Sequence, residues 1–148
     1  MHEALAPLLQ GLHHVAIVVP SLAEARKTYV DVLGMRAGEP EHVADQKVNV
    51  FVCHAGTQRI ELVEPAAPDS PVTNFLAKRG GGLHHLAYRV ASVERALAVL
   101  KRAGLRLIDE NPRPGAHGTR IAFVHPSAMN GVLTELVEVP PADRLGER

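Results

Sequence analysis

The sequence predicts an α+β fold in which a β-α-β-β-β module occurs twice, the two modules pairing into one curved mixed sheet around a cleft. Three observations lead there. The first is an internal repeat. Residues 12–25 read LHHVAIVVPSLAEA and residues 83–96 read LHHLAYRVASVERA, with seven of fourteen positions identical at a fixed offset of 71. The identities are Leu12/Leu83, His13/His84, His14/His85, Ala16/Ala87, Val19/Val90, Ser21/Ser92 and Ala25/Ala96. The second is that hydrophobic periodicity changes from two to 3.6 at the same place in each copy, as a strand followed by a helix requires. The third is a glycine, Gly34 or Gly104, closing each helical stretch where a left-handed C′ residue belongs.

Each element follows in chain order. Residues 12–19 alternate and are β-branched, which predicts a strand. Ser21 is an N-cap, Glu24 stands at the capping-box position, and Leu22, Ala25, Tyr29 and Leu33 fall on one helical face. Three strand-like runs follow, at 35–43, 47–54 and 58–64. The segment 64–82, EPAAPDSPVTNFLAKRGGG, is a Pro- and Gly-rich connector with a short helix over VTNFLAKR. The second copy gives a strand at 83–90, a helix from Ser92 to Ala103 with Leu97 and Leu100 inward, and strands at 105–110, 119–125 and 131–138. The chain is thus expected to be a single domain over 1–148. Module one covers about 11–64, the connector 65–82, module two about 83–139, and a charged, frayed tail 140–148.

Composition narrows the function. The 148 residues carry 16 Lys plus Arg against 16 Asp plus Glu, a formal net charge of zero. A protein that neutralises phosphates along a nucleic acid needs a basic surplus, so such a partner is not expected. Five aromatic residues in the whole chain leave no base-stacking platform. A lone cysteine excludes a disulfide framework and any multi-cysteine zinc site. There is no apolar run of the roughly 20 residues a membrane span needs, and the N-terminal MHEALAPLLQG lacks signal-peptide character. The expected setting is cytoplasmic. Nine histidines are the distinctive feature.

Four residues stand out by symmetry. His14 and His85 hold equivalent places on the first strand of each copy. RIELVEP at 59–65 and LTELVEVP at 133–140 share ELVE, which pairs Glu61 with Glu135. If the copies face each other, all four converge in the cleft. Imidazole and carboxylate without thiolate suit a divalent transition metal such as Co, Mn, Fe, Ni or Zn. Four ligands of an octahedral ion leave two neighbouring positions for a bidentate substrate. By period-two alternation His13 and His84 face the other way, as do Glu64 and Glu138, three residues past Glu61 and Glu135. Cys53, in an apolar strand, reads as a buried inert thiol.

The strings LHHVAIVV, ELVEP, DSPVTNFLAKRGGGLHHLAYRV, LIDENPRPGAHGTRIAFVHP and GVLTELVE resemble the methylmalonyl-CoA epimerase family of the vicinal oxygen chelate superfamily, from about residue 11 to 139. The resemblance implies the paired β-α-β-β-β fold and metal ligands at His14, Glu61, His85 and Glu135. It implies interconversion of (2R)- and (2S)-methylmalonyl-CoA through an enolate stabilised by a divalent metal, with Co favoured. The implied partner is an acyl-CoA thioester, and the implied assembly a homodimer. Glu135 is then one acid/base and Glu61 a candidate for the second, because Val50 stands where some relatives carry a glutamate. Asp45, Lys47 and Asn49 lie near that position, and DQK reads as a solvated turn. The RPGAHG loop, 113–118, is expected to close over the cleft, with His117 as a substrate contact. Lys78, Arg79 and Arg120 are candidates for the CoA phosphates. Two other readings remain open. One is a different metal enzyme of the superfamily, a glyoxalase-type isomerase or a dioxygenase. The other is a non-catalytic small-molecule binding protein.

Overall fold

The computed structural model describes residues 4–141 and divides the chain into two compact units. One is residues 14–84; the other joins residues up to 13 with those from 85 onward. The tail expected over 140–148 falls, beyond Pro141, outside the described residues. Strand β1, Leu9–Val18, is continuous, giving residues 14–18 to the first unit and 9–13 to the second. Among the described residues no helix is long and apolar enough to cross a membrane.

In the first unit β1 is followed by helix α1, Leu22–Arg26, short strands β2, Arg36–Ala37, and β3, Glu41–Val43, then β4, Val48–Ala55, and β5, Gln58–Pro65. Helix α2, Pro71–Arg79, closes the connector as expected, with Ser70 as its cap and Pro71 at N1. The strand order is β2-β4-β5-β1, with β3 also on β4. β4 and β5 are antiparallel, whereas β1 and β5 are parallel, so the sheet is mixed.

Helix α1 begins where the sequence places it. Ser21 is extended, and its Oγ accepts from the Glu24 N–H at 3.2 Å. Only half of the capping box forms, because Glu24 instead accepts from Lys27 Nζ at 3.1 Å. The helix is shorter than expected. After Arg26 it widens into a π-turn over Lys27–Val32, with the Leu33 N–H donating to the Thr28 carbonyl at 2.9 Å. One extra residue in that turn shifts the apolar stripe out of phase. Tyr29 and Val30 still pack against Leu22, Ala25, Phe51 and Leu62, but Leu33 is 57% exposed. Leu33 is therefore not a core residue, contrary to its helical spacing. The run expected as one strand over 35–43 is two short strands split at Gly38–Pro40, since Pro40 lacks the N–H a ladder needs. Cys53 is fully buried, as expected, and burial pushes its thiol pKa above the ordinary value, with Arg26 opposing.

The second unit repeats the plan with β6, Gly82–Val90, helix α3, Val93–Arg102, and strands β7, Arg113–Pro114, β8, Arg120–Val124, and β9, Thr134–Glu138. The order is β1-β6-β9-β8-β7, with β6 and β9 parallel and β8 and β9 antiparallel. Helix α3 lays Val93, Ala96, Leu97 and Val99 on Ala122, Val124 and Leu136, with Leu100 partly buried beside them. Two strand assignments change. Residues 105–110 form no strand beyond a single Leu107–Val124 bridge, because the Asp109 carboxylate takes the Phe123 N–H at 2.8 Å where a ladder carbonyl would stand. The last strand starts at Thr134, not 131, since Asn130 and Gly131 have positive φ and turn the chain there.

Candidate metal centre and active site

Each unit builds the same pair by the same register. In the first, parallel pairing sets Ala16 beside Glu61, and His14 lies two residues earlier on the same face. His14 Nε2 is 3.7 Å from Glu61 Oε2. In the second, Ala87 stands beside Glu135, and His85 Nε2 is 3.4 Å from Glu135 Oε1. The alanines conserved between the two repeats now have a reason. Both are fully buried, and a methyl group leaves the imidazole room beside the carboxylate. His14, His85 and Glu135 are 5%, 7% and 5% exposed, and the Glu61 side chain 14%. Phe123 meets the His85 ring edge-on, with centroids 5.3 Å apart at 87°, which fixes the imidazole plane.

The donors fit a divalent transition metal. Buried imidazoles and carboxylates without thiolate are the borderline set such ions prefer, and each unit supplies one such His–Glu pair. A buried carboxylate is costly unless something compensates its charge. Each here stands beside an imidazole, and a divalent cation held by the pair would compensate the charge.

Glu64 and Glu138 face away as expected, and with a function the sequence reading missed. Glu64 Oε1 accepts the Leu22 N–H at 2.8 Å, and Glu138 Oε1 accepts the Val93 N–H at 3.0 Å. Each last strand thus supplies a carboxylate to the positive end of its unit's helix. ELVE carries one glutamate for the site and one for the helix. The spacing of three, with strand alternation, was the available signal. His84 packs edge-on against Phe75, with centroids 4.9 Å apart.

The other candidates are placed as follows. Val50 is 2% exposed in β4 and has no proton to transfer. Asp45 lies in a 3-10 turn, Ala44–Gln46, closed by left-handed Lys47, whose Nζ pairs with Asp69. Asn49 donates to Glu64 Oε2 at 3.0 Å, so it belongs to the helix face. His117 is exposed and left-handed, with φ 58°, in the turn Ala116–Gly118. Arg120 pairs with Glu94 and approaches Glu138, and Arg79 lies over the Phe75 ring. Lys78 sits in the last turn of α2.

Residues 13–123 match the model of the Glyoxalase/Bleomycin resistance protein/Dioxygenase superfamily, and the chain belongs to that superfamily, with its α+β vicinal oxygen chelate fold. The mitochondrial methylmalonyl-CoA epimerase of Bos taurus is 39% identical over 138 residues, 91% of this chain and 79% of that one. The crystal structure of methylmalonyl-CoA epimerase from Mycobacterium tuberculosis is 36% identical with a TM-score of 0.86, covering 94% of each chain. A methylmalonyl-CoA epimerase solved with methylmalonyl-CoA and NH4+ is 32% identical with a TM-score of 0.83, over 90% of this chain and 96% of that one. Within the superfamily, the chain belongs to the methylmalonyl-CoA epimerases, a family of isomerases.

Proposed function

We propose that this protein interconverts (2R)- and (2S)-methylmalonyl-CoA by removing and returning the C2 proton, at one site whose ligands are His14, Glu61, His85 and Glu135. The observation that carries the reading is the twofold His–Glu pair, His14 with Glu61 and His85 with Glu135. A duplicated pair of buried donors in this family has a plain chemical use. A bound divalent ion, with cobalt our first choice, would supply Lewis-acid stabilisation of the enolate, worth several kcal/mol.

The chain's own residues divide the remaining work. Inversion needs a proton removed from one face of C2 and delivered to the other. Glu135 takes one side and Glu61 the other, one carboxylate from each repeat. Burial around the histidines and Glu135 excludes water, which strengthens electrostatic stabilisation of the developing charge. We take His117, in the loop at 113–118, as a substrate contact. We take the whole chain to act as one domain, as a cytoplasmic homodimer.

The test is deuterium exchange at C2 of methylmalonyl-CoA in D2O, followed by NMR. It is run with metal-stripped protein, cobalt-restored protein and the His85→Ala variant. Exchange that requires metal and disappears in the variant is the expected result. Absence of exchange from protein shown to bind metal at His85 would refute epimerisation.

A further inference from the structure

The geometry points to an anion subsite formed by Arg36, His54 and Arg59, which receives a phosphate group at the nucleotide end of the acyl-CoA substrate. The inference rests on the acyl-CoA reading above and extends it to residues that the sequence reading did not select.

Three adjacent strands of the first unit build the subsite. Register places Arg36 opposite His54 between β2 and β4, and His54 opposite Arg59 between β4 and β5. Directly opposed residues project from the same face, so the three form one row across the sheet. Their neighbours Ala37, Cys53 and Ile60 pack beneath α1 with Phe51, which puts the row on the other face. Val52 and Glu61, also opposed, lie two residues farther along on that same face, about 7 Å away by strand rise. The row therefore borders the His14–Glu61 pair.

Its chemistry asks for an anion. Among the described residues neither Arg36 nor Arg59 pairs with a carboxylate, whereas Arg113 approaches Asp109 and Arg120 pairs with Glu94. Between them His54 Nδ1 is buried and, among the described residues, has no hydrogen-bond partner. Arg36 and Arg59 flank His54 across β4, and the row contains no carboxylate between the two guanidiniums. Two guanidinium forks, set one strand apart on either side of β4, span about 10 Å of backbone. That span suits a phosphate or diphosphate with several oxygens better than a single carboxylate. Access is from the sheet edge, where β2 is the outer strand of the unit and Arg36 is exposed.

The experiment compares methylmalonyl-CoA with methylmalonyl-pantetheine, which has the same reacting group and lacks the nucleotide. The enzyme is tested as wild type, Arg59→Gln and the Arg36→Gln/Arg59→Gln double variant. Removing a charge-assisted contact from a bound phosphate costs about tenfold or more. The wild-type kcat/KM preference for the CoA thioester is expected to shrink about tenfold in Arg59→Gln and further in the double variant, chiefly through KM. An unchanged preference would overturn the subsite. Calorimetric binding of adenosine 3′,5′-bisphosphate tests it without turnover, and so separates its failure from failure of the epimerase reading. Binding by wild type that is lost in the double variant supports the subsite even if neither thioester reacts. No binding by wild type, or equally tight binding of inorganic phosphate, overturns the assignment to a CoA phosphate. Arg→Lys variants serve where a glutamine variant fails to fold. They keep the charge but lose the fork, and an intermediate loss of preference is expected.

Discussion

Glu64 accepts the backbone N–H of Leu22 at 2.8 Å, bridging from the last strand of its unit to the first residue of a helix 42 positions earlier. Its other oxygen accepts from Asn49 at 3.0 Å. Ser21 already satisfies the Glu24 N–H, so side chain and strand together cover two of the four orphan donors at the helix start. The same arrangement recurs at α3 with Ser92, Glu138 and Val93. Glu64→Ala removes the cap and strands the Asn49 amide, so about 1–2 kcal/mol of stability should be lost. Glu64→Gln, which keeps an acceptor, should lose less. Urea denaturation of the three proteins checks both, and indistinguishable midpoints would show that the carboxylate contributes nothing to the helix.

Metal occupancy should appear in stability as well as in activity. A ligand that binds only the folded state adds about 2.7 kcal/mol when present at a hundred times its dissociation constant. Cobalt should therefore raise the melting temperature of stripped wild-type protein. The rise should be absent in His85→Ala and in Glu135→Gln, each of which lacks one of the proposed donors. Scanning calorimetry with and without metal measures this independently of any substrate. An equal rise in the variants would place the bound metal elsewhere.

How much could be read from the sequence depended on how local each determinant is. The repeat, the N-caps at Ser21 and Ser92, the connector helix and the equivalence of His14 with His85 are all visible as residue types at fixed spacings. Strand alternation was enough to separate Glu61 from Glu64. What escaped depends on partners distant in the chain. The π-turn that exposes Leu33 shows no feature in KTYVDV. The Asp109 carboxylate that displaces a ladder bond needs Phe123, 14 residues away. The Arg36–His54–Arg59 row exists only through the register of three strands. Within the RPGAHG loop, β7 pairs with β8 through Arg113–Ile121 and Pro114–Arg120, which a reading as pure loop did not anticipate.

The loop that carries His117 depends on the absence of a side chain at Gly115. A Cβ there would lie 2.5 Å from Thr119 Oγ1 and 2.7 Å from Ile121 Cγ2. Neither neighbour can easily move, since Thr119 Oγ1 donates to the Ala116 carbonyl at 2.7 Å and Ile121 is 2% exposed. Gly115→Ala should cost about 1–3 kcal/mol as an overpacked contact, and should displace the turn that holds His117. Gly104→Ala is the comparison, because nothing lies within 4 Å of its Cβ position and its cost is confined to the left-handed backbone. Denaturation midpoints and KM for methylmalonyl-CoA should both move in Gly115→Ala. Gly104→Ala should move only the midpoint.

His54 gives the fold a definite pH dependence. Burial, and then the charges of Arg36 and Arg59, hold its pKa below the ordinary histidine value of 6.5. In the unfolded chain those influences vanish, so between the two pKa values the unfolded state binds the extra proton. Stability then falls as pH falls, beginning near 6.5 and complete once pH passes below the folded pKa. Above the unfolded pKa both states are neutral and His54 contributes no slope. His54→Gln should therefore match the wild-type pH dependence above about pH 7.5 and lose stability less steeply below 6.5. An anion bound between the guanidiniums should reverse part of the shift. Adding adenosine 3′,5′-bisphosphate should raise the His54 titration midpoint followed by NMR, in the same protein whose stability slope is measured. A midpoint at 6.5 without ligand would show that burial and the two arginines do not outweigh the opposing hydrogen bond to the Arg36 backbone.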